Sequence, residues 1–250
     1  MNDLKLKNKV CIVTGATSGM GKAIARKFSE HSAKLILSGR DEERGLKLAS
    51  SLKNSIFLGG DVRDIHYNES LVETAISHFG GLDVVSLNAG ILGLGNVVSL
   101  APEDWQKTMD TNLSSIFYLS KYAIPHLQKT KGNILINASI AAFKSFPNHP
   151  AYCASKAGSL ALMKQMAVEY GPEIRVNALC PGPVDTPLLW DSAEAFEYPN
   201  TAVEKAAQAT LLKRLGTPED VANLALFLVS EEASWITGTA MTIDGGIINS

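Results

Sequence analysis

Val10-Cys11-Ile12-Val13-Thr14-Gly15-Ala16-Thr17-Ser18-Gly19-Met20-Gly21 is the stretch whose reading decides the fold. Four apolar residues in a row, with no polar alternation, suit a strand covered on both faces. Glycines at 15, 19 and 21 follow, and residues 22–31 then carry a helical stripe through Ile24, Ala25 and Phe28. A glycine-rich turn from strand to helix lets backbone N–H groups approach a pyrophosphate at the positive end of the helix. The spacing is Gly-x-x-x-Gly-x-Gly rather than Gly-x-Gly-x-x-Gly. Placed after the first strand, it points to dinucleotide binding by Gly15, Thr17, Ser18, Gly19, Met20 and Gly21.

The same alternation runs through the chain. Apolar runs at Val10–Val13, 35–37, 56–58, Val84–Leu87, 134–136, 174–179 and 241–243 predict seven strands. Between them lie helical stripes. One runs through Leu71, Val72, Ala75, Ile76 and Phe79; another, through Val221, Leu224, Ala225 and Leu228, is opened by Thr217-Pro218-Glu219. This predicts an α/β fold of one domain over residues 1–250, a Rossmann-like doubly wound parallel sheet with helices on both faces. Ligands in such sheets sit beyond the carboxyl ends of the strands.

Composition narrows the function. The chain is 46% hydrophobic and 19% charged with net charge −2, which points away from nucleic acid and anionic membranes. No apolar run reaches transmembrane length. Residues 1–9 are polar and lysine-rich and show no signal-peptide cleavage pattern. Three scattered cysteines, Cys11, Cys153 and Cys180, suggest reduced thiols and a cytoplasmic setting. Five scattered histidines give no metal-ligand spacing, so no metal is expected.

The second apolar run ends at Leu37-Ser38-Gly39-Arg40. NAD sites usually place an acidic residue here, on the ribose 2′-hydroxyl. Ser38, Gly39 and Arg40 include no carboxylate, and Arg40 can grip a 2′-phosphate through its planar fork. The expected cofactor is NADP(H) over NAD(H). Asp41 reads as a helix N-cap or first-turn acid before Glu42 and Glu43 rather than as a ribose ligand.

Tyr152 and Lys156 stand four positions apart, so one helical turn puts them on the same face. A cation about 4 Å from the phenol, at an effective dielectric of about 20, favours the phenolate by about 4 kcal/mol. That is roughly three pKa units, and predicts a tyrosine able to trade a proton near neutral pH.

Together with Gly60-Asp61-Val62, Asn88-Ala89-Gly90, Thr111-Asn112 and Asn137-Ala138-Ser139, these stretches resemble the short-chain dehydrogenase/reductase superfamily in order and interval. The resemblance runs from about Lys9 to Gly246. It implies that Tyr152 is the catalytic acid for carbonyl reduction and the base for alcohol oxidation. Lys156 would lower the Tyr152 pKa and hold the nicotinamide ribose, and Ser139 would bind the substrate oxygen. Asn112 would hold, through its backbone, a water linking Lys156 to solvent. Asp61, with Val62 beside it, would meet the adenine, and Asn88, Ala89 and Gly90 would line the cofactor. Pro181, Gly182, Val184 and Thr186 resemble the segment that contacts the nicotinamide carboxamide. A homotetramer is implied, its interface along the helices near 112–121 and 152–170, where Ala154, Ala157, Gly158 and Ala161 permit close approach. The family often has Asn where Leu87 stands, and a small structural effect is expected.

The expected substrate cleft is apolar: Leu92, Leu94, Ala141, Phe143, Phe146, His149, Leu188, Leu189, Trp190 and Phe196. It suits a small hydrophobic or neutral ketone or secondary alcohol. His149 either touches substrate or has no role. Residues 185–210 read as an irregular, mobile lid, or as bulky side chains packing a static core. Two alternatives remain. One is a 3-oxoacyl-(acyl-carrier-protein) reductase, whose acidic partner would need a basic patch such as Lys121, Lys129 and Lys131. The other is a non-enzymatic NADP-sensing regulatory protein on the same fold.

Overall fold

The computed structural model describes residues 4–249; residues 1–3 of the lysine-rich N-terminal stretch, and Ser250, lie outside them. Among the described residues seven strands form one sheet: β1 Val10–Val13, β2 Lys34–Gly39, β3 Ser55–Gly59, β4 Val84–Leu87, β5 Asn133–Asn137, β6 Arg175–Pro181 and β7 Ala240–Ile243. Every pair is parallel, in the order β3-β2-β1-β4-β5-β6-β7. All seven expected strands are present.

Alternate residues of each strand enter different cores, which is why the strands show no polar alternation. Val10, Ile12, Ile134 and Ile136 face α3 (Ile65–Phe79), α5 (Ser115–Thr130) and α6 (Pro150–Tyr170). Cys11, Val13, Leu35 and Leu135 face α1 (Gly19–Glu30), α2 (Glu42–Ser51) and α9 (Pro218–Val229). Leu71, Val72 and Ala75 of α3, and Val221, Ala225 and Leu228 of α9, are the buried stripes that the spacing predicts. Leu87 is buried in the first core. The α9 start is a capping box. The Asp220 N–H donates to Thr217 Oγ1 at 3.1 Å and the Thr217 N–H to Asp220 Oδ2 at 2.8 Å, with Pro218 at the first helical position.

The strand order reverses between β1 and β4. Chains leaving these two strands part in opposite directions, and a crevice opens at their carboxyl ends. Residues 185–210 correct the expectation of an irregular segment, for they form α7 (Pro187–Ala193) and α8 (Pro199–Ala209). Each helix is opened by a proline in its first turn, where the missing N–H costs nothing and φ is already helical. No helix among the described residues is long and apolar enough to cross a membrane. Cys11 and Cys180 are buried, Cys153 is half-buried, and none is in a disulfide.

Candidate active site

Two clefts meet at the crevice. The first is lined by Gly15, Thr17, Ser18, Gly19, Met20 and Gly21 from the turn after β1, and by Arg40 after β2. Asp61 and Val62 follow β3, Asn88, Ala89 and Gly90 follow β4, and Thr186 leads into α7. All were expected there. Gly39, Gly60, Ile91, Thr111, Asn137, Pro187 and Leu188 complete the lining and were not.

The turn could not be built from larger residues. Gly15 has φ +62°, in the left-handed region, and a Cβ on Gly21 would lie 2.3 Å from the Gly15 carbonyl oxygen. The helix therefore begins hard against the end of the strand, its first N–H groups facing the cleft. Thr14 braces the floor, its Oγ1 accepting from the N–H groups of Asn88 (3.0 Å) and Ala89 (3.3 Å). Among the described residues, the buried Oδ1 atoms of Asn88 and Asn137 have no hydrogen-bond partner. Both residues line this cleft. Helix start, side-chain-free cradle and spare acceptors fit a dinucleotide.

At the far end, β2 and β3 bring Arg40 and Asp61 together. Ser38 is a correction. Its side chain is fully buried and lines neither cleft. The Tyr67 hydroxyl donates to Ser38 Oγ at 2.9 Å, and the Ser38 carbonyl accepts from the Ala16 N–H. Asp41 is the N-cap of α2, accepting from the Arg44 N–H at 2.8 Å. Asp61 is gripped by Arg63, whose backbone N–H, Nε and Nη2 all donate to it, Nη2 at 2.6 Å. Arg63 holds the Asp61 carboxyl below the usual carboxylate range.

The catalytic candidates converge where the two clefts join. Ser139 and Tyr152 line the second cleft, and Met20, Thr186 and Leu188 line both. Ser139 caps a short helical turn, its Oγ accepting from the Ala141 N–H at 3.0 Å, so the hydroxyl hydrogen is free to point outward. Lys156 lies behind Gly90, where a Cβ would be 3.7 Å from its Nζ. Nζ donates to the Asn137 carbonyl at 2.7 Å. Asn112 occupies a π-helical turn, Asp110–Ser114, between α4 (Pro102–Met109) and α5. Its side chain bridges elements. Oδ1 accepts from the Ile91 N–H at 2.8 Å, and Nδ2 donates to the Ile91 carbonyl and to Ser155 Oγ. Such single π turns often mark functional positions.

Electrostatics correct one expectation. Burial pushes the Tyr152 phenol up to about 12, with the Ser139 hydroxyl opposing the shift. Burial also pulls Lys156 down to about 8. The expected three-unit lowering assumed a cation about 4 Å from the phenol in a screened medium. Instead Nζ is turned to a carbonyl, 5.5 Å from the ring centroid, and desolvation is the largest influence on the phenol.

The second cleft has a volume of about 590 Å³. Leu92, Ala141, Phe146, His149, Leu188, Leu189 and Phe196 line it as expected, while Leu94, Phe143 and Trp190 are exposed and outside it. Trp190 instead donates its indole N–H to Asp185 at 2.9 Å. Pro181, Gly182 and Val184 face this cleft rather than the first. Tyr198, Thr201, Lys205 and Ala206 were missed because their stretch reads as loop when α8 is not recognised. His149 is almost fully buried. Nδ1 is 2.6 Å from the Pro147 carbonyl, which can only accept, so Nδ1 carries the proton. In the neutral ring Nε2 then accepts from Ser192 of α7 at 2.8 Å, tying α7 to the residue just before α6.

A parallel doubly wound domain with a Ser-Tyr-Lys group at its strand ends belongs to a definite class, and comparison with known proteins agrees. The family model described as enoyl-(acyl carrier protein) reductase matches residues 15–248. An uncharacterized oxidoreductase of Thermotoga maritima is 36% identical, covering 97% of this chain and 98% of the relative. The 3-oxoacyl-(acyl-carrier-protein) reductase FabG of the same organism is 34% identical over 98% and 100%. Among solved structures, levodione reductase superposes with a TM-score of 0.92 at 29% identity, over 96% of this chain and 98% of the other. The chain belongs to the short-chain dehydrogenase/reductase superfamily, a family of oxidoreductases that use nicotinamide cofactors.

Proposed function

We propose that the chain is an NADP(H)-dependent reductase that converts a hydrophobic or neutral ketone into a secondary alcohol, reversibly. The observation that supports it best is the presence of Ser139 and Tyr152 in an apolar cleft continuous with the glycine-lined one. A bound nicotinamide would supply the hydride at that junction. Tyr152, kept protonated by burial, gives its proton to the developing alkoxide, a far stronger base than a phenolate. Ser139 donates to the same oxygen as charge builds on it. Lys156 holds the ribose beside Gly90, and Asn112 keeps the loop after β4 and the start of α6 in register. Asp61 and Val62 receive the adenine, and Arg40 the 2′-phosphate. The test is turnover of a panel of ketones and alcohols with NADPH and NADH. Reduction of apolar ketones with NADPH, abolished in Tyr152→Phe, is expected. Turnover near wild type in Tyr152→Phe, or a clear NADH preference, overturns the respective part.

A second reading, reduction of a 3-oxoacyl group on acyl carrier protein, takes support from the FabG relative and from Lys205 at the cleft wall. Lys129 and Lys131 give it none. They end α5 just before β5 begins, at the amino ends of the strands, opposite the crevice. Equal kcat/KM for a carrier-bound and a free 3-oxoacyl thioester would exclude carrier recognition. As a non-enzymatic sensor, the chain would bind NADPH but turn over no substrate of the panel.

The proposal includes a cytoplasmic homotetramer. Ala154, Ala157 and Ala161 are exposed along α6, and Phe117 is exposed on α5. A monomer by light scattering would contradict that part.

A further inference from the structure

Three arginines and two carboxylates gather at the adenosine end of the first cleft. Arg40 and Asp61 line it, and the Gly60 N–H donating to the Gly39 carbonyl sets the two loops side by side. Asp41 follows Arg40 directly. Either carboxylate could close on Arg40 and cancel its charge. Neither does. Asp41 is clamped by Arg44, whose N–H reaches one oxygen at 2.8 Å and whose Nε reaches the other at 2.6 Å. Asp61 is clamped by Arg63 through Nε at 2.9 Å and Nη2 at 2.6 Å. Glu42 and Glu43 are exposed on the first turn of α2 and do not line the cleft. Among the described residues, no side chain pairs with Arg40.

We infer that Arg44 and Arg63 are positioning residues for cofactor choice: by occupying Asp41 and Asp61 they leave Arg40 free to take a 2′-phosphate. This rests on the NADP(H) reading above. Two paired carboxylates leave one uncompensated guanidinium, so the local field favours a dianion. Release of Asp61 would place a carboxylate against both Arg40 and the incoming phosphate. The Asp61 pair matters more, because Asp61 lines the cleft and feels the Arg40 charge, whereas Asp41 keeps its bond to the Arg44 backbone in any Arg44 variant.

The test measures dissociation constants of NADPH, NADH, 2′-AMP and 5′-AMP by calorimetry for the wild type and for Arg40→Gln, Arg44→Gln, Arg63→Gln, Arg63→Lys and Arg63→Gln/Asp61→Asn. Exposed ion pairs differ by up to about 1 kcal/mol, so Arg63→Gln should weaken NADPH and 2′-AMP by roughly fivefold with NADH and 5′-AMP nearly unchanged. Arg44→Gln should do so by about twofold at most. Arg63→Lys should keep most of the preference. The double variant should recover it, because the carboxylate that needed guarding is gone. If Arg40→Gln abolishes an NADPH preference but Arg63→Gln leaves the NADPH/NADH ratio unchanged, this inference fails and the NADP(H) reading stands. If the wild type shows no NADPH preference, the NADP(H) reading itself fails. Equal weakening of all four ligands by Arg63→Gln, not recovered in the double variant, would reduce Arg63 to a structural role.

Discussion

The two clefts of this molecule are made of different material. The first is walled largely by backbone: glycines, strand ends and the start of a helix. The second is walled by side chains, many of them from α7 and α8, which stand some forty residues beyond Tyr152. Backbone walls tolerate little change, since an added methyl collides with main chain that cannot move aside. Side-chain walls can be re-cut, since one apolar group replaces another at modest cost. The contrast explains how one scaffold can keep its cofactor and vary its substrate.

The sharpest way to break this division is at the seam. Tyr152→Phe should lower turnover by about 10²–10⁴-fold with cofactor affinity unchanged. A loss of cofactor binding instead would place Tyr152 in the first cleft's business. Next comes Gly21→Ala. Its Cβ meets the Gly15 carbonyl oxygen at 2.3 Å, so cofactor affinity should fall and stability drop by about 1–3 kcal/mol. A variant with normal Tm and normal affinity would show that the turn has slack. Phe196→Ala, in the second cleft, should raise KM for apolar ketones about tenfold, the worth of the apolar area of this exposed ring that a bound ketone would shield from water, and leave cofactor affinity alone.

Smaller effects follow from Lys156, which lies behind both clefts. With its pKa pulled down to about 8, kcat/KM for reduction should decline as pH rises through about 8 and the ammonium is lost. Lys156→Arg should remove that inflection. For stability, the folded pKa lies below the unfolded value of 10.5, so between about 8 and 10.5 the unfolded chain binds more protons. Stability from this group therefore rises with pH across that window, and its cost is fully present below about 8. Lys156→Met should flatten that slope and gain about 1–2 kcal/mol near pH 7, reduced by the lost bond to the Asn137 carbonyl. An unchanged slope in thermal melts would mean Lys156 is better hydrated than its burial implies.

Much of the first cleft was legible in the chain. A strand buried on both faces needs an unbroken apolar run, and a helix start facing phosphate needs glycine, so Val10–Val13 and Gly15, Gly19 and Gly21 read directly. The N-cap role of Asp41 read equally well from its place before Glu42 and Glu43. Ser38 did not, because only the packing of α3 against β2 brings the Tyr67 hydroxyl onto it. The lid helices were missed although Pro187 and Pro199 marked them, because bulky exposed residues between them masked the helical period.

By itself the sequence determined the sheet, the glycine turn and the placing of Tyr152 and Lys156 on one helix face, since each depends on local period, backbone freedom or spacing along one helix; Ser139, off that helix, joined them only through the family resemblance. Tertiary structure alone decided the direction in which the Tyr152 and Lys156 pKa values move and the shape of the second cleft. A pKa answers to desolvation, and desolvation is set by everything packed around the phenol and the ammonium. The cleft answers to where α7 and α8 come to rest, which contacts distant in the chain determine.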